Sequence, residues 1–381
     1  MTRTAVSLLR HDTYDPDKTL AALKKLLEPL GGMAAFVKTG DSVVLKPNLV
    51  FGRSENKAVN THHAIVRAVA VLADEAGAGK IVIGDSPGYG SARMAARHCG
   101  ILSAADELGI EVIEFTPREH IDQNRFFPRL ELADELLKAD CIINLPKLKT
   151  HGQMLMSMAV KNMFGAVPGA RKFQWHYRAG RDKIFFARML NDIALAVRPT
   201  LSIMDAVLAM DGKGPGSGRA RPANFLAAGA DPWCMDAILM DVLGLERKLL
   251  FTLAEMEQRG HDWWHGATAV GPEPSVLRPN DWDIPELITT QMHGKFIEKH
   301  LPSVAAWMRE RITPPPFPKK SCTKCGYCIN ICPVKAIRGI DGGIAIDSKT
   351  CIRCYCCHEL CQHDGMDMAR GGLLARILGI K

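Results

Sequence analysis

Eight cysteines at a repeated spacing within forty residues constrain this chain more than any other feature. Residues 322–333 read CTKCGYCINICP and residues 351–361 read CIRCYCCHELC. Cys322, Cys325, Cys328 and Cys332 therefore share the x2, x2, x3 spacing of Cys351, Cys354, Cys357 and Cys361, each offset from its counterpart by 29 residues. Two-residue gaps let three thiolates converge on one face of an iron-sulfur cube while the chain wraps it. Zinc sites also use C-x2-C pairs, but the doubled pattern weighs against zinc. Twelve cysteines in all could suggest a disulfide scaffold, yet a 381-residue chain whose N-terminus lacks a long apolar signal core fits a reducing, cytoplasmic setting. No run of eighteen apolar residues occurs, so no transmembrane segment is expected.

The doubled run matches bacterial-type two-cluster ferredoxins, in which the fourth cysteine of each run ligates the other cluster. Two [4Fe-4S] clusters are expected, one on Cys322, Cys325, Cys328 and Cys361, the other on Cys351, Cys354, Cys357 and Cys332. Two departures stand out. Gln362 follows the second run where Pro333 follows the first, and Cys356 is a ninth cysteine inside the second run. Cys99, Cys141 and Cys234 read as buried core residues. The formal charge of +7 drops to roughly +3 once two clusters of about −2 each are counted. A global polyanion-binding reading weakens accordingly, and local clustering of charge matters more.

Upstream, short apolar runs at 4–9, 41–48, 80–86, 111–117, 141–147, 201–207 and 223–229 alternate with helical patterns such as 16–31 and 60–79. That alternation predicts an α/β fold with a largely parallel, doubly wound sheet, followed by a small α+β two-cluster domain. The expected organisation is an anion-binding α/β domain over 1–312, a Pro-rich linker over 313–320, the cluster domain over 321–368 and an amphipathic tail over 369–381. Residues 244–312 read as irregular structure with one strand and a helix, and Trp263 and Trp264 as core.

Residues 145–190 hold nine Lys or Arg residues against one acid, Asp182, where a solvated face would mix signs. If PKLKTH runs on as a strand, Lys147, Lys149 and His151 share one face, because side chains alternate. The run GQMLMSMAVKNMFG predicts a helix closed by Gly165, with Lys161 and Asn162 in its last turn. Other polar residues gather where strands stop: Lys46 and Asn48, Asp85 and Ser86, and Asp205. In open α/β sheets ligands bind outside the carboxyl ends of the strands, so these ends predict one pocket. The loop DGKGPGSGRARP at 211–222 reads as a surface turn or as a lid or clamp.

The segments VVLKPNLV, IGDSPG, INLPKLKTHGQMLMSMAVKNMFGAVPG, IMDAVLAMDGKGPGSG and ADPWCMDAI resemble the domain-of-unknown-function family number 362, many of whose members carry a C-terminal ferredoxin module. The resemblance marks Lys147, Lys149, His151, Lys161, Asn162 and Gly165 as family features. It implies no particular reaction.

Together these features point to an iron-sulfur oxidoreductase. A low-potential carrier, a ferredoxin or flavoprotein, would exchange single electrons with the clusters. An anionic small molecule would be held by Lys46, Asn48, Asp85, Ser86, Lys147, Asn162 and Asp205, with His151, Lys149 and Lys161 as catalytic candidates. Histidine is the natural proton donor near neutral pH. The alternative is an electron-transfer protein that docks on a partner without chemistry of its own. Nucleic acid is not expected, although Phe173, Trp175, His176 and Tyr177 interleave the basic stretch. No nicotinamide fingerprint, Walker loop or C-x3-C-x2-C run is present.

Overall fold

The computed structural model of the chain describes residues 4–88, 90–169, 171–180, 182–284 and 315–368. The amphipathic tail over 369–381, and the helix expected near 300–312, lie outside the described residues.

The large domain is built on a ten-stranded mixed sheet of β1 (Ala5–Arg10), β2 (Ser42–Pro47), β3 (Lys80–Gly84), β4 (Glu111–Ile113), β7 (Cys141–Leu145), β8 (Lys147–His151), β9 (Leu155–Ser157), β10 (Leu201–Asp211), β11 (Arg219–Gly229) and β12 (Thr268–Val270). The hairpin β5 (Pro117–Ile121) and β6 (Arg129–Ala133) stands apart from it. The sheet order is β12-β1-β11-β10-β7-β2-β3-β4, and β10, β7, β2, β3 and β4 run parallel. The fold is thus α/β with a largely parallel sheet, as expected, and all seven expected strands are present. Only β11 departs from the parallel set at its core, because a tight connection returns it antiparallel between β10 and β1.

Alternating side chains divide the sheet's two faces. Val43, Leu45, Cys141, Ile143 and Leu145 pack with Cys99 against the helices Pro16–Leu27 and His63–Glu75. Val44, Val82 and Ile142 point the other way, into a core shared with Cys234, Trp264 and the helices Lys183–Val197 and Pro232–Leu243. The three isolated cysteines and Trp264 are core residues, while Trp263 is half-buried and donates to Asp231.

One expected element is different. The run 152–165 is not a single helix: β9 folds back antiparallel on β8, and a short helix Ala159–Asn162 and a 3-10 turn Met163–Ala166 follow. Leu155 takes a left-handed φ of 68° to make the reversal, which a continuous helix cannot accommodate. Asp236 then accepts from Ala159 N and Val160 N at 2.7 and 3.2 Å, which starts the short helix.

The C-terminal region has a small sheet of β13 (Pro316–Pro318) with β16 (Met366–Met368) and a hairpin of β14 (Ile337–Ile340) with β15 (Gly343–Ile346). Pro316 and Pro318 lack backbone donors, which suits an edge strand. Phe51, Val59 and Met210 of the large domain pack with Ile331, Cys354, Cys356 and Leu360 and join the two parts through an apolar contact.

Candidate functional site

The parallel strands β2 and β3 end at Pro47 and Gly84, so Asn48, Asp85 and Ser86 sit just beyond their carboxyl ends. Strand β7 ends at Leu145. Pro146 has no amide proton to continue the ladder, and the chain resumes as β8, paired with β10 at Asp205 and Met210. Strand alternation puts Lys147, Lys149 and His151 on the cavity side, whereas Leu148 and Thr150 point away into the protein. The result is a cavity of about 100 Å³, lined by Asn48, Asp85, Ser86, Lys147, Lys149, His151, Lys161 and Asn162. Eight of the ten residues expected to bind or act on a ligand therefore meet.

The other two lie behind the wall. Lys46 is fully buried and pairs with Asp85 at 2.9 Å. Gly165 makes room for that pair, because a Cβ there would lie 1.9 Å from Asp85 Oδ1. Asp85 also accepts from Leu49 N and Ser86 N, at 2.7 and 2.9 Å. Asp205 holds Lys147 Nζ at 2.7 Å, and the Tyr14 hydroxyl donates to its other oxygen at 2.7 Å. Each of these two carboxylates fixes a lysine.

Lys149 Nζ donates to Asn48 Oδ1 and Val59 O, each at 2.6 Å. From Asn48 an amide chain runs to Asn162 at 2.9 Å and on to Asn144 at 2.7 Å. Among the described residues Lys149 thus has neutral acceptors and no ion pair with a carboxylate. Lys161 Nζ has no hydrogen bond or ion pair among the described residues, and burial lowers its pKa, with Glu359 and Cys356 acting in the opposite sense. Burial also holds Lys149 well below the usual lysine range, and Lys161 and Lys147 push it further down.

His151 is 1% exposed. Its Nδ1 accepts from Gln153 N and Met154 N, both at 3.2 Å, so the neutral ring carries its proton on Nε2. That Nε2 has no hydrogen-bond partner, and the nearest carboxylate oxygen is Glu359 Oε1 at 3.4 Å. Burial, then Lys161 and His176, keep the imidazole pKa well below its ordinary value. At pH 7 the ring is a neutral donor aimed into the cavity, a change from the proton-donating imidazolium expected of an unperturbed histidine.

Several lining residues were not expected at the cavity from sequence. Lys172, Phe173 and His176, noted only as part of the basic, aromatic-interleaved stretch, come from the helix Arg171–Ala179; the i, i+4 spacing of Lys172 and His176 puts that pair on one face, a signal available in the sequence. Lys172 donates to Ser86 O and Val167 O at 2.5 and 2.7 Å, and burial brings its pKa down to about 7. Cys356, Glu359 and Leu360 reach the cavity from between the cysteines of the second run, and nothing local to those residues foretold it. The loop 212–218 contacts the same region. Ser217 donates to Asp364 at 2.7 Å, Lys213 pairs with Asp367 at 2.6 Å, and a Cβ on Gly216 would lie 2.6 Å from Glu359 O.

The cysteines suit iron-sulfur ligation. Cys328 lies in the electrostatic neighbourhood of Cys322, Cys325 and Cys361, and Cys351 in that of Cys354 and Cys332. Among the described residues no three of these sulfurs lie within 4.8 Å of one another, whereas a zinc tetrahedron with Zn–S bonds of about 2.3 Å holds them roughly 3.8 Å apart. The backbone repeats with the sequence. Left-handed φ values recur 29 residues apart at Lys324 and Arg353 (57° and 56°), Gly326 and Tyr355 (76° and 53°), and Lys335 and Asp364 (53° and 49°). Ala336 N donates to Cys332 Sγ at 3.2 Å, and Gly365 N to Cys361 Sγ at 3.1 Å. Both runs bend in the same way around their thiols.

Comparison with known proteins agrees with this arrangement. A 4Fe-4S binding domain matches residues 315–338, which marks the C-terminal region as an iron-sulfur electron-transfer module. A thylakoid-associated protein of Synechocystis sp. is 42% identical over 285 residues, covering 74% of this chain and 88% of that protein. Among solved structures, a protein from Thermotoga maritima (13% identity) and the lactate racemase apoprotein from Thermoanaerobacterium thermosaccharolyticum (10% identity) each align with a TM-score of 0.38. Those alignments cover 56% and 60% of this chain, which spans 55% and 54% of the two solved chains. Among the described residues no helix is long and apolar enough to cross a membrane. The segment that carries Lys46, Asp85, the β8 lysines, Lys161 and Asp205 falls within residues 43–241, which match the domain of unknown function DUF362, and the chain belongs to that family.

Proposed function

We propose that this protein is a two-cluster iron-sulfur oxidoreductase that passes single electrons to an anionic small molecule bound in the cavity. One observation carries the reading: Lys149 and Lys161, which form no ion pair among the described residues, line one side of the cavity, and Cys356, Glu359 and Leu360, which lie between ligand cysteines, line the other. Buried charges are ordinarily paired. Lys46 and Lys147 obey that rule through Asp85 and Asp205, while among the described residues Lys149 and Lys161 form no ion pair and feel only the longer-range attraction of carboxylates such as Glu359. An anion would satisfy them.

Cys322, Cys325, Cys328 and Cys361 would hold one [4Fe-4S] cluster and Cys332, Cys351, Cys354 and Cys357 the other; bound there, they supply one-electron chemistry at the cavity wall. Lys161 and Lys149 hold the anion, and the Asn48–Asn162 chain fixes Lys149. The His151 Nε2–H donates to an oxygen on which negative charge develops. A bound anion also offsets the repulsion from Lys161 and Lys149 and so raises the pKa of His151, which couples binding to proton uptake. The concave, partly open cavity favours chemistry on a small molecule over docking of a flat partner surface.

The test is anaerobic reconstitution with iron and sulfide counted, then reduction and electron paramagnetic resonance with small carboxylates and phosphates added in turn. About eight irons per chain are expected, with the spectrum perturbed by one class of anion. Lys161→Ala should weaken that anion by roughly 10- to 100-fold, the worth of a charged hydrogen bond. Four irons per chain, or spectra indifferent to every anion, would sink the reading.

A further inference from the structure

Two distinct groups of side chains line the cavity. Lys149, Lys161 and His151 form the first: Lys161 is the strongest charge acting on both of the others, and His151 Nε2 is buried without a hydrogen-bond partner. The second group is apolar. Val50, Phe173, Cys356 and Leu360 line the same cavity and pack in one cluster. Gly88 N donates to Val50 O at 2.9 Å, and a Cβ on Gly88 would lie 2.5 Å from Leu360 Cδ2 and 3.5 Å from Val50 O. The leucine thus fills the space that the glycine leaves, beside Val50. Val50 and Phe173 line the cavity while only half-buried, so apolar surface is left uncovered there. None of these four side chains carries a strong hydrogen-bond donor.

We propose that the cavity takes a small monocarboxylate with an apolar body, its two oxygens on Lys149, Lys161 and His151 and its carbon chain on Val50, Phe173 and Leu360. The inference rests on the anion-binding reading above and narrows it. A phosphate turns oxygens outward in every direction, and one set against the apolar group loses its water without gaining a donor. A second carboxylate on the ligand meets the same penalty. A monocarboxylate confines its charge to one end, and each carbon it buries at the other adds affinity. Cys356 and Leu360 belong to the iron-sulfur module, so the carbon body, and not the carboxylate, is the part of the ligand that lies beside that module.

Calorimetry on the full reconstituted chain, kept anaerobic, compares formate, acetate, propionate and butyrate with succinate and inorganic phosphate. Affinity is expected to rise about three- to fourfold with each added carbon from formate to butyrate, and the heat-capacity change of binding to become steadily more negative. Succinate and phosphate should each bind at least about tenfold more weakly than butyrate. Lys161→Ala should weaken all four monocarboxylates by the same factor and keep the butyrate-to-formate ratio. The near-isosteric Val50→Thr, which sets a hydroxyl against the carbon chain, should lower that ratio by about threefold or more. If Val50→Thr loads less iron, Phe173→Gln takes its place, with the same expected fall in the ratio. Affinity that stays flat along the series overturns the inference and leaves an anion site standing, as does succinate or phosphate that binds as tightly as butyrate. A parental ratio in both Val50→Thr and Phe173→Gln overturns it too. If none of the six anions binds, the anion-binding reading itself falls, and this inference with it.

Discussion

The two cysteine repeats have nearly the same backbone and quite different surroundings. Their left-handed residues and their N–H···S bonds coincide at the 29-residue offset, yet Cys325 and Asn330 are exposed while every residue from Arg353 to Leu360 is buried. Where the first repeat has Gly326 in the left-handed region, the second holds Tyr355 there, a conformation that costs a non-glycine residue about 1–2 kcal/mol. The second repeat also replaces Tyr327 and Asn330 with Cys356 and Glu359, two residues that line the cavity. Wrapping thiols around a cluster dictates the backbone; the residues between the thiols decide which side of the module meets the large domain. The anomalies of the second run, Cys356 among them, belong to that contact.

The largest effect should come from removing one ligand from each repeat. Cys354→Ala and Cys325→Ala are each expected to lower the iron content by about half. Only Cys354→Ala should also loosen the module from the large domain, since Cys354 packs with Phe51 and Leu360 and its carbonyl accepts from Gln153. Hydrogen exchange over 356–360 reads the difference, and equal exchange in the two variants would contradict the asymmetry. A steric version needs no change of metal. Gly216→Ala drives a Cβ to within 2.6 Å of Glu359 O, whereas Gly339→Ala, in the first repeat's hairpin, meets nothing closer than 4.0 Å. Overpacking should cost the first about 1–3 kcal/mol and leave the second within about 0.5 kcal/mol of the parent, as measured by chemical denaturation of the loaded protein.

A smaller effect follows from pH. Lys172, brought down to about 7 by burial, and His151, held well below its usual value, both lie on the wall opposite the second repeat. A bound anion raises both pKa values, so binding takes up protons. Affinity should be greatest below about pH 7 and decline as pH rises above it, by at most about tenfold per pH unit for each proton. Calorimetry in buffers of different ionisation heat measures the uptake directly. Affinity that rises with pH would show that these groups do not face the anion.

How far the sequence reaches depends on the kind of interaction. The seven strands were legible because each is a short apolar run, and Lys147, Lys149 and His151 because strand alternation is local. The run 152–165 misled, since its apolar spacing suits a helix while the β8–β9 pairing and the carboxylate of Asp236, 77 residues from Ala159, impose another shape. Lys46 sits at the end of β2 as expected, whereas Asp205, also expected at a strand end, lies in the middle of β10, and only the packed structure shows that each is already paired. Glu359 and Cys356 could not be assigned to the cavity at all from residues 141–211, because the module that carries them meets the site only through tertiary contact.

The finest test of the comparison lies at Lys335 and Asp364, equivalent positions with φ values of 53° and 49°. Glycine relieves left-handed strain at both, and its greater freedom in the unfolded chain offsets part of the gain. Lys335 is exposed and without an ion pair among the described residues, so Lys335→Gly should be neutral to about 1 kcal/mol stabilising. Asp364→Gly obtains the same relief but loses Ser217 at 2.7 Å and Arg53 at 3.3 Å. The Arg53 pair is partly exposed and worth about 0–1 kcal/mol, and the Ser217 bond about 0.5–1.5 kcal/mol. Asp364→Gly should therefore fall below Lys335→Gly by roughly 1–2 kcal/mol in denaturant titrations of the loaded chain. The strain cancels between the two variants, so the gap reports only the contact between the second repeat and the large domain. Equal stabilities would mean that this polar contact adds nothing to the apolar packing of Phe51, Cys356 and Leu360.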